Sequence, residues 1–290
     1  MRRRPWRGWE DLAPMQALLA RALRDTPDIA FLHPGDLAWW VGWPLQTQEE
    51  LAAKVTIVED DGAVVGWHYL DREDVNEWVD PGSPDPEGAW RELDAAIEGR
   101  PDLARSVCES DTAGVARLRA AGYEPMTEGM IGFSFDLVGV DLGEHDDRVR
   151  PVVPGDDLRP RASITRAAFG VERVSFDRYV EEYEAFTRSP AYPHGWDLVV
   201  WAGPDRAAAC TIAWLDPVSL VGNFEPVATH PDFHRQGYAT AVMREGLRRI
   251  RDAGMRRAVV YAVLDNHAGI ALYRSVGFRD DHLQRWFSRS

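Results

Sequence analysis

The feature that most restricts what this chain can fold into is an internal repeat. The segment DTAGVARLRAAGY, ending at Tyr123, lies under NHAGIALYRSVGF, ending at Phe278, at a constant spacing of 155 residues. Ala113, Gly114, Ala116, Arg119 and Gly122 recur as Ala268, Gly269, Ala271, Arg274 and Gly277. Upstream of the first copy, VTIVEDDGAVVGWHYLD reads as two strands around a tight turn, and LVVWAGPDRAAACTIAWLD does the same upstream of the second. A unit repeated at that spacing has the size of a whole small domain. Two such units fill the 290 residues, divided as 1–140 and 141–290 at the Gly- and Asp-rich stretch VGVDLGEHDDR.

The second unit has the plainer pattern. VRPVV reads as a short strand, Asp156–Phe169 and Ser175–Thr187 as helices, and LVVWAG and AAACTIAWLD as strands around a Gly-Pro-Asp turn. VGNFEPVATHP follows as a strand that contains Pro226. Proline donates nothing to a ladder, so the spacing predicts a bulge or an unpaired edge there, with the sheet splitting at that point. From Tyr238 onward Ala239, Val242, Met243, Gly246, Leu247 and Ile250 share one helical face, and Gly254 supplies the stop. AVVYAVL then reads as a buried strand, a short helix opens after Asn266, and VGFRDD leads to a last strand.

HRQGYA, residues 234–239, sits where a strand feeds that helix. The free N–H groups of a helix's first turn and its positive dipole end make an anion site. Gly237 lets the backbone approach a ligand closely and Ala239 keeps the first turn free of bulk, so a diphosphate fits.

These residues resemble the GNAT superfamily of acyl-CoA-dependent N-acyltransferases. The family's phosphate loop has the form Arg/Gln-x-x-Gly-x-Gly/Ala, and His234, Arg235, Gln236, Gly237, Tyr238 and Ala239 match it except for histidine in the first place. Asn266, Ala268, Ala271, Leu272, Tyr273, Gly277 and Phe278 are similar to its second signature, with Gly269 where alanine is usual. The resemblance covers roughly residues 148–290. It implies an α/β (α+β) protein of two tandem GNAT-like domains, each a mixed, mostly antiparallel sheet flanked by helices. It implies acetyl-CoA as co-substrate, no metal, and a small-molecule amine as acceptor. Splayed central strands would admit the coenzyme's pantetheine arm, held by the backbones of Val227 and Thr229, while residues 234–239 and Asn266 complete the coenzyme site.

Acyl transfer from a thioester to an amine needs a neutral amine, a polarised carbonyl and a proton for the leaving thiolate. By the same resemblance the Val227 N–H would meet the carbonyl and Tyr273 would protonate the thiolate. Glu225 is the candidate base, because strand alternation puts it on one face with Val227 and Thr229; an ion pair or an acceptor-binding role is the equal alternative. A partly buried carboxylate there would have a raised pKa.

In the first unit, SPDPEGAWRELDAAI stands where a phosphate loop should be. Asp85 and Glu87 repel an anion, Pro86 removes an N–H, and Trp90 blocks space, while Leu118 replaces the tyrosine. This copy is expected to have lost coenzyme binding, keeping structural support and one wall of the acceptor pocket. HPGDLAWWVGW, with Trp39, Trp40 and Trp43, is a candidate for that wall, though core packing is the default for such rings.

Charge and composition narrow the class further. Residues 1–140 hold 13 basic and 26 acidic side chains, against 20 and 21 in the remainder. A field of that sign repels nucleic acid. Glu10 and Asp11 interrupt the basic start and no long apolar run follows, so neither export nor a membrane span is expected. The two cysteines, Cys108 and Cys210, lie in different units inside strand-like runs, which fits buried thiols and a cytoplasmic setting. Two functions stay open: an N-acetyltransferase, favoured by Tyr273, and a non-catalytic acyl-CoA-binding sensor or scaffold. Mycothiol-synthase-like acetylation is a minor variant of the first, with no residue specifying its acceptor. Nothing in the pattern fixes an oligomeric state.

Overall fold

The computed structural model describes residues 1–43 and 46–289. The first half runs β1 (Arg2–Pro5), α1 (Leu12–Asp25), α2 (Pro34–Gly42), α3 (Gln48–Lys54), β2 (Val55–Asp60), β3 (Ala63–Asp71), β4 (Asp74–Val79), α4 (Pro86–Ala96), β5 (Ala104–Cys108), α5 (Thr112–Ala120) and β6 (Glu124–Asp136). The second runs β7 (Val149–Pro151), α6 (Leu158–Ala168), α7 (Phe176–Thr187), β8 (Asp197–Gly203), β9 (Arg206–Asp216), β10 (Val221–Thr229), α8 (Tyr238–Asp252), β11 (Arg257–Val263), α9 (His267–Val276) and β12 (Arg279–Ser288). From β2 and from β8 onward the two halves share one order: three meandering strands, a helix, a strand, a helix, a strand.

The repeat seen in the sequence is a repeat of helix ends. Asp111 accepts a hydrogen bond from the Gly114 N–H at 2.9 Å to start α5, and Asn266 accepts one from the Gly269 N–H at 2.9 Å to start α9. Past each helix comes a left-handed glycine, Gly122 at φ 81° and Gly277 at φ 116°.

The mixed sheets of the two halves run on into one another as a single twelve-stranded sheet, in the order β1-β2-β3-β4-β5-β12-β6-β11-β10-β9-β8-β7. The last strand of each half pairs into the other half: β6 lies antiparallel to β11 from Met130 to Asp136, and β12 lies antiparallel to β5 from Gln284 to Phe287. β6 and β12 also pair with each other at the centre. A repeat reveals which segments are alike, but the pairing partner of a final strand is decided by which open edge it meets.

A second union lies across the helices. α1 and α2 of the first half share one apolar core with Tyr179, Tyr183 and Phe186 of α7 and with Ile212 and Trp214 of β9. Leu37 and Val41 of α2 are at most 1% exposed, and each such burial contributes roughly 1.5–3 kcal/mol. Gly35 permits the approach, since a Cβ there would sit 2.3 Å from Cγ of Trp214. Trp39 stacks on Trp43 with ring centroids 5.7 Å apart, and both meet Phe186 edge-on, so these two partly buried rings pack against the core.

α8 buries Val242, Met243, Leu247 and Ile250 on the sheet, the face read from its periodicity. Gly246 faces Phe224 of β10, where a Cβ would come within 2.5 Å of the ring. Both cysteines are buried free thiols. Among the described residues no helix is long and apolar enough to cross a membrane.

Candidate active site

β10 carries the local irregularity that Pro226 predicts. Its register against β9 shifts between Phe224 and Val227, so Glu225 and Pro226 together oppose Ile212, and the Glu225–Pro226 peptide is cis. Against β11 it pairs in parallel only at Val221, Gly222 and Asn223. Beyond Asn223 the two strands part.

The backbone lining that gap can be assigned from one bond. The His230 N–H donates to Ala208 O of β9 at 2.9 Å, so by strand alternation Ala228 also points its polar groups at β9. Those of Val227 and Thr229 therefore point into the gap. The Thr229 carbonyl there already meets the His234 ring, Nε2 to O at 3.3 Å.

A turn at Pro231–Phe233 leads into the loop at the start of α8. Arg235 and Gly237 adopt left-handed backbone at φ 62° and 84°, which aims the chain into the helix with no side chain capping its first turn. Nothing lies within 4 Å of where a Cβ on Gly237 would be, so a side chain there would meet open space. His234 and Gln236 turn back on the loop, Gln236 Nε2 donating to Asp232 O at 3.0 Å. Their side chains brace the loop, and its anion-binding capacity resides in the backbone. Tyr238 packs edge-on against Phe233, centroids 5.5 Å apart, and Ala239 is half-buried in the first turn. Asn266 is exposed and its Oδ1 is used by the α9 cap.

Tyr273 on α9 is 6% exposed and packed between Phe133 and Phe278. Burial, and then the neighbouring Glu225 charge, push its hydroxyl well above the ordinary tyrosine range, so it holds its proton. Burial and then the charge of Asp36 raise the Glu225 carboxyl to about 8. Asp36, on α2 of the first half, is raised to about 7 by burial, against hydrogen bonds from the His33 N–H at 2.8 Å and Asn223 Nδ2 at 2.5 Å. His33 is itself locked: its Nδ1 accepts from the Gly35 N–H at 2.9 Å, which leaves Nε2 to donate to Val221 O at 3.1 Å.

The expectation that Glu225 shares a face with Val227 is corrected. Val227 packs with Phe224 against the α8 side of the sheet, whereas Glu225 lines a cavity of about 190 Å³ on the opposite side. The bulge inserts one residue and so breaks the period of two on which the alternation rests. Phe31, Asp36, Trp40, Tyr261 and Trp286 line the same cavity. Trp40 is thus the one member of its tryptophan cluster at this wall, while Asp36, Tyr261 and Trp286 carried no signal in the sequence. The Asp36–Asn223 contact spans 187 residues, beyond any local pattern.

The equivalent gap in the first half is filled. β4 pairs with β5 only at Asp74 and Val75, and beyond that point Arg105 makes paired 2.7 Å bonds to both oxygens of Glu77. Asp94 accepts from Arg105 at 2.5 Å, and Arg117 lies 3.6 Å over the Trp90 ring. Asp85 caps α4 by accepting from the Gly88 N–H at 2.8 Å, so a carboxylate stands where α8 is bare.

Comparison with known proteins bears on the family and the fold. Residues 164–278 match the model of the acetyltransferase (GNAT) family. No curated protein matches the chain. Among solved structures, a GNAT-family acetyltransferase from Colwellia psychrerythraea superposes with a TM-score of 0.64 at 13% identity, covering 100% of both chains. A tandem GNAT protein from the clavulanic acid biosynthesis pathway gives 0.62 at 16% identity, covering 99% of this chain and 97% of its own. A GCN5-related N-acetyltransferase from Sphaerobacter thermophilus gives 0.59 at 18%, covering 99% and 94%. Residues 164–278 are therefore an acetyltransferase (GNAT) family domain, within a chain whose full length takes the tandem GNAT fold.

Proposed function

We propose that this protein is an N-acetyltransferase that moves an acetyl group from acetyl-CoA onto the amine of a small molecule by direct attack. Coenzyme and chemistry belong to residues 141–290, and residues 1–140 supply support and one wall of the acceptor site. The observation that carries the reading is the Glu225 side chain, without a hydrogen-bond or ion-pair partner among the described residues, which faces a cavity just past the point where β10 parts from β11.

The fit to acetyl-CoA rests on two features of the chain. The bare first turn of α8 after Gly237 suits a diphosphate, and the inward-pointing backbone of Val227 and Thr229 suits an extended amide chain added beside β10. Bound there, the coenzyme would supply an activated acetyl thioester. The Val227 N–H would donate to the acetyl oxygen. The acceptor enters as an ammonium and gives up two protons. Glu225 takes the first and passes it to solvent, which frees the nitrogen pair to bond to the acetyl carbon. The second, released as the C–N bond forms and the C–S bond breaks, makes good the proton that Tyr273 gives to the thiolate sulfur.

The test is amine-dependent release of free CoA from acetyl-CoA by the purified chain, with a panel of small primary amines. Release with at least one amine, saturating in both substrates, is the expected result. Acetyl-CoA binding with no release by any of them would leave a binding protein.

A further inference from the structure

We propose that the acceptor is a compact amine with an apolar or aromatic body and no anionic group, seated in the cavity between the halves with its ammonium between Glu225 and Asp36. The word acceptor rests on the transferase reading above; the site itself rests on the cavity.

The cavity's charge favours a cation. Three carboxylates line it: Asp36 from α2, Asp74 from β4 and Glu225 from β10. Among the described residues Arg105 is the cation on its wall, and that guanidinium is already bound to Glu77 and Asp94 with 2% exposure. An anion entering here would find carboxylates and no free positive charge. A protonated amine would find the opposite, and would supply Glu225 with its missing partner.

The rest of the wall restricts the body of the ligand. About 190 Å³ is of the order of the roughly 150 Å³ cavity that takes up benzene, room for one ring and a short arm. Phe31, Trp40 and Trp286 offer aromatic faces. Tyr261 lines this space as well, and its buried hydroxyl has no hydrogen-bond partner among the described residues, which is costly unless water or a ligand reaches it. Specificity is then shared between halves: β10 brings the carboxylate beside the reacting gap, and the first half brings Asp36, Asp74, Phe31 and Trp40.

The test is calorimetric binding at pH 8.5 of 2-phenylethylamine, phenylalanine and 3-phenylpropionate, with and without CoA. The amine is expected to bind, phenylalanine to bind at least roughly tenfold more weakly, and the propionate not at all. Asp36→Asn and Glu225→Gln should each weaken the amine by roughly tenfold or more while leaving acetyl-CoA affinity unchanged. Asp36 also holds Asn223, so a destabilised Asp36→Asn protein leaves the decision to Glu225→Gln, whose side chain bonds to none of the described residues. Equal binding of phenylalanine, undiminished amine binding in Glu225→Gln, or no binding of phenylethylamine would each overturn the proposal. Amine binding without CoA release would sink the transferase reading and leave this site standing. CoA release with carboxylate-bearing amines alone would do the reverse.

Discussion

Asn223 Nδ2 donates to Asp36 Oδ1 across 2.5 Å, tying the strand at the lip of the gap to a helix of the first half. Both side chains are buried, Asn223 fully, and Asn223 is the last residue of β10 paired with β11. The bond therefore links the docking of the halves to the point where the sheet opens. Asn223→Ala removes one of two donors to a buried carboxyl and should cost about 1–3 kcal/mol, read as a lower denaturant midpoint with an unchanged slope.

The raised carboxyl of Glu225 makes stability depend on pH. A carboxyl whose folded pKa exceeds its unfolded value binds its proton more tightly in the native state, so the native state loses stability as pH rises from about 4.5 to about 8. Asp36 acts with the same sign and the two titrate as a pair. Glu225→Gln takes this term away. Its melting temperature should exceed that of the wild type by an amount that grows from pH 4.5 to 8.5 and levels off above. A constant difference across that range would mean Glu225 titrates normally.

What was legible in the sequence was what depends on local pattern. The helix opening after Asn266, the stop at Gly254, the buried face of α8 and the irregularity at Pro226 all follow from neighbours within a few residues. The exchange of β6 and β12 does not, because either strand carries a pattern that suits either edge. Nor does the face of Glu225, since the position of a bulge predicts a broken alternation without saying which side chain turns. Asp36 lay inside the segment singled out for its tryptophans, yet its importance comes from Glu225 and Asn223, far along the chain.

Gly237 tests the anion site. At φ 84° any other residue is strained by about 1–2 kcal/mol, but the space around a Cβ is empty, so Gly237→Val should still fold. The added branch would project into the opening before α8 and deny a diphosphate its approach. Thermal stabilisation by acetyl-CoA should vanish while the unliganded melting temperature falls by only a few degrees. Stabilisation equal to that of the wild type would refute the site.

The filled gap of the first half predicts one coenzyme per chain. Admitting a second would require breaking the Arg105–Glu77 pair, both 2% exposed, and expelling the Asp85 carboxylate from the start of α4. Removing one partner of a buried pair costs about 3–5 kcal/mol, more than a diphosphate beside Asp85 and Glu87 would return. Calorimetric titration should therefore give a stoichiometry near one. A value near two would show that the first half keeps a working slot.

Tyr273 separates catalysis from binding. Its ring is held by Phe133 and Phe278, so Tyr273→Phe keeps the packing and removes only a hydroxyl that has no hydrogen-bond partner among the described residues. Acetyl-CoA affinity should stay within a few fold, and the fold should be as stable as before. If the hydroxyl protonates the departing thiolate, kcat should fall by on the order of a hundredfold. The loss should shrink with acyl donors whose leaving thiol is more acidic, since these need less help from a proton donor. A structural role would not produce that trend, because it would slow all donors alike. Unchanged turnover in Tyr273→Phe, or an equal loss with every donor, would remove Tyr273 from the reaction and leave protonation of the sulfur to water.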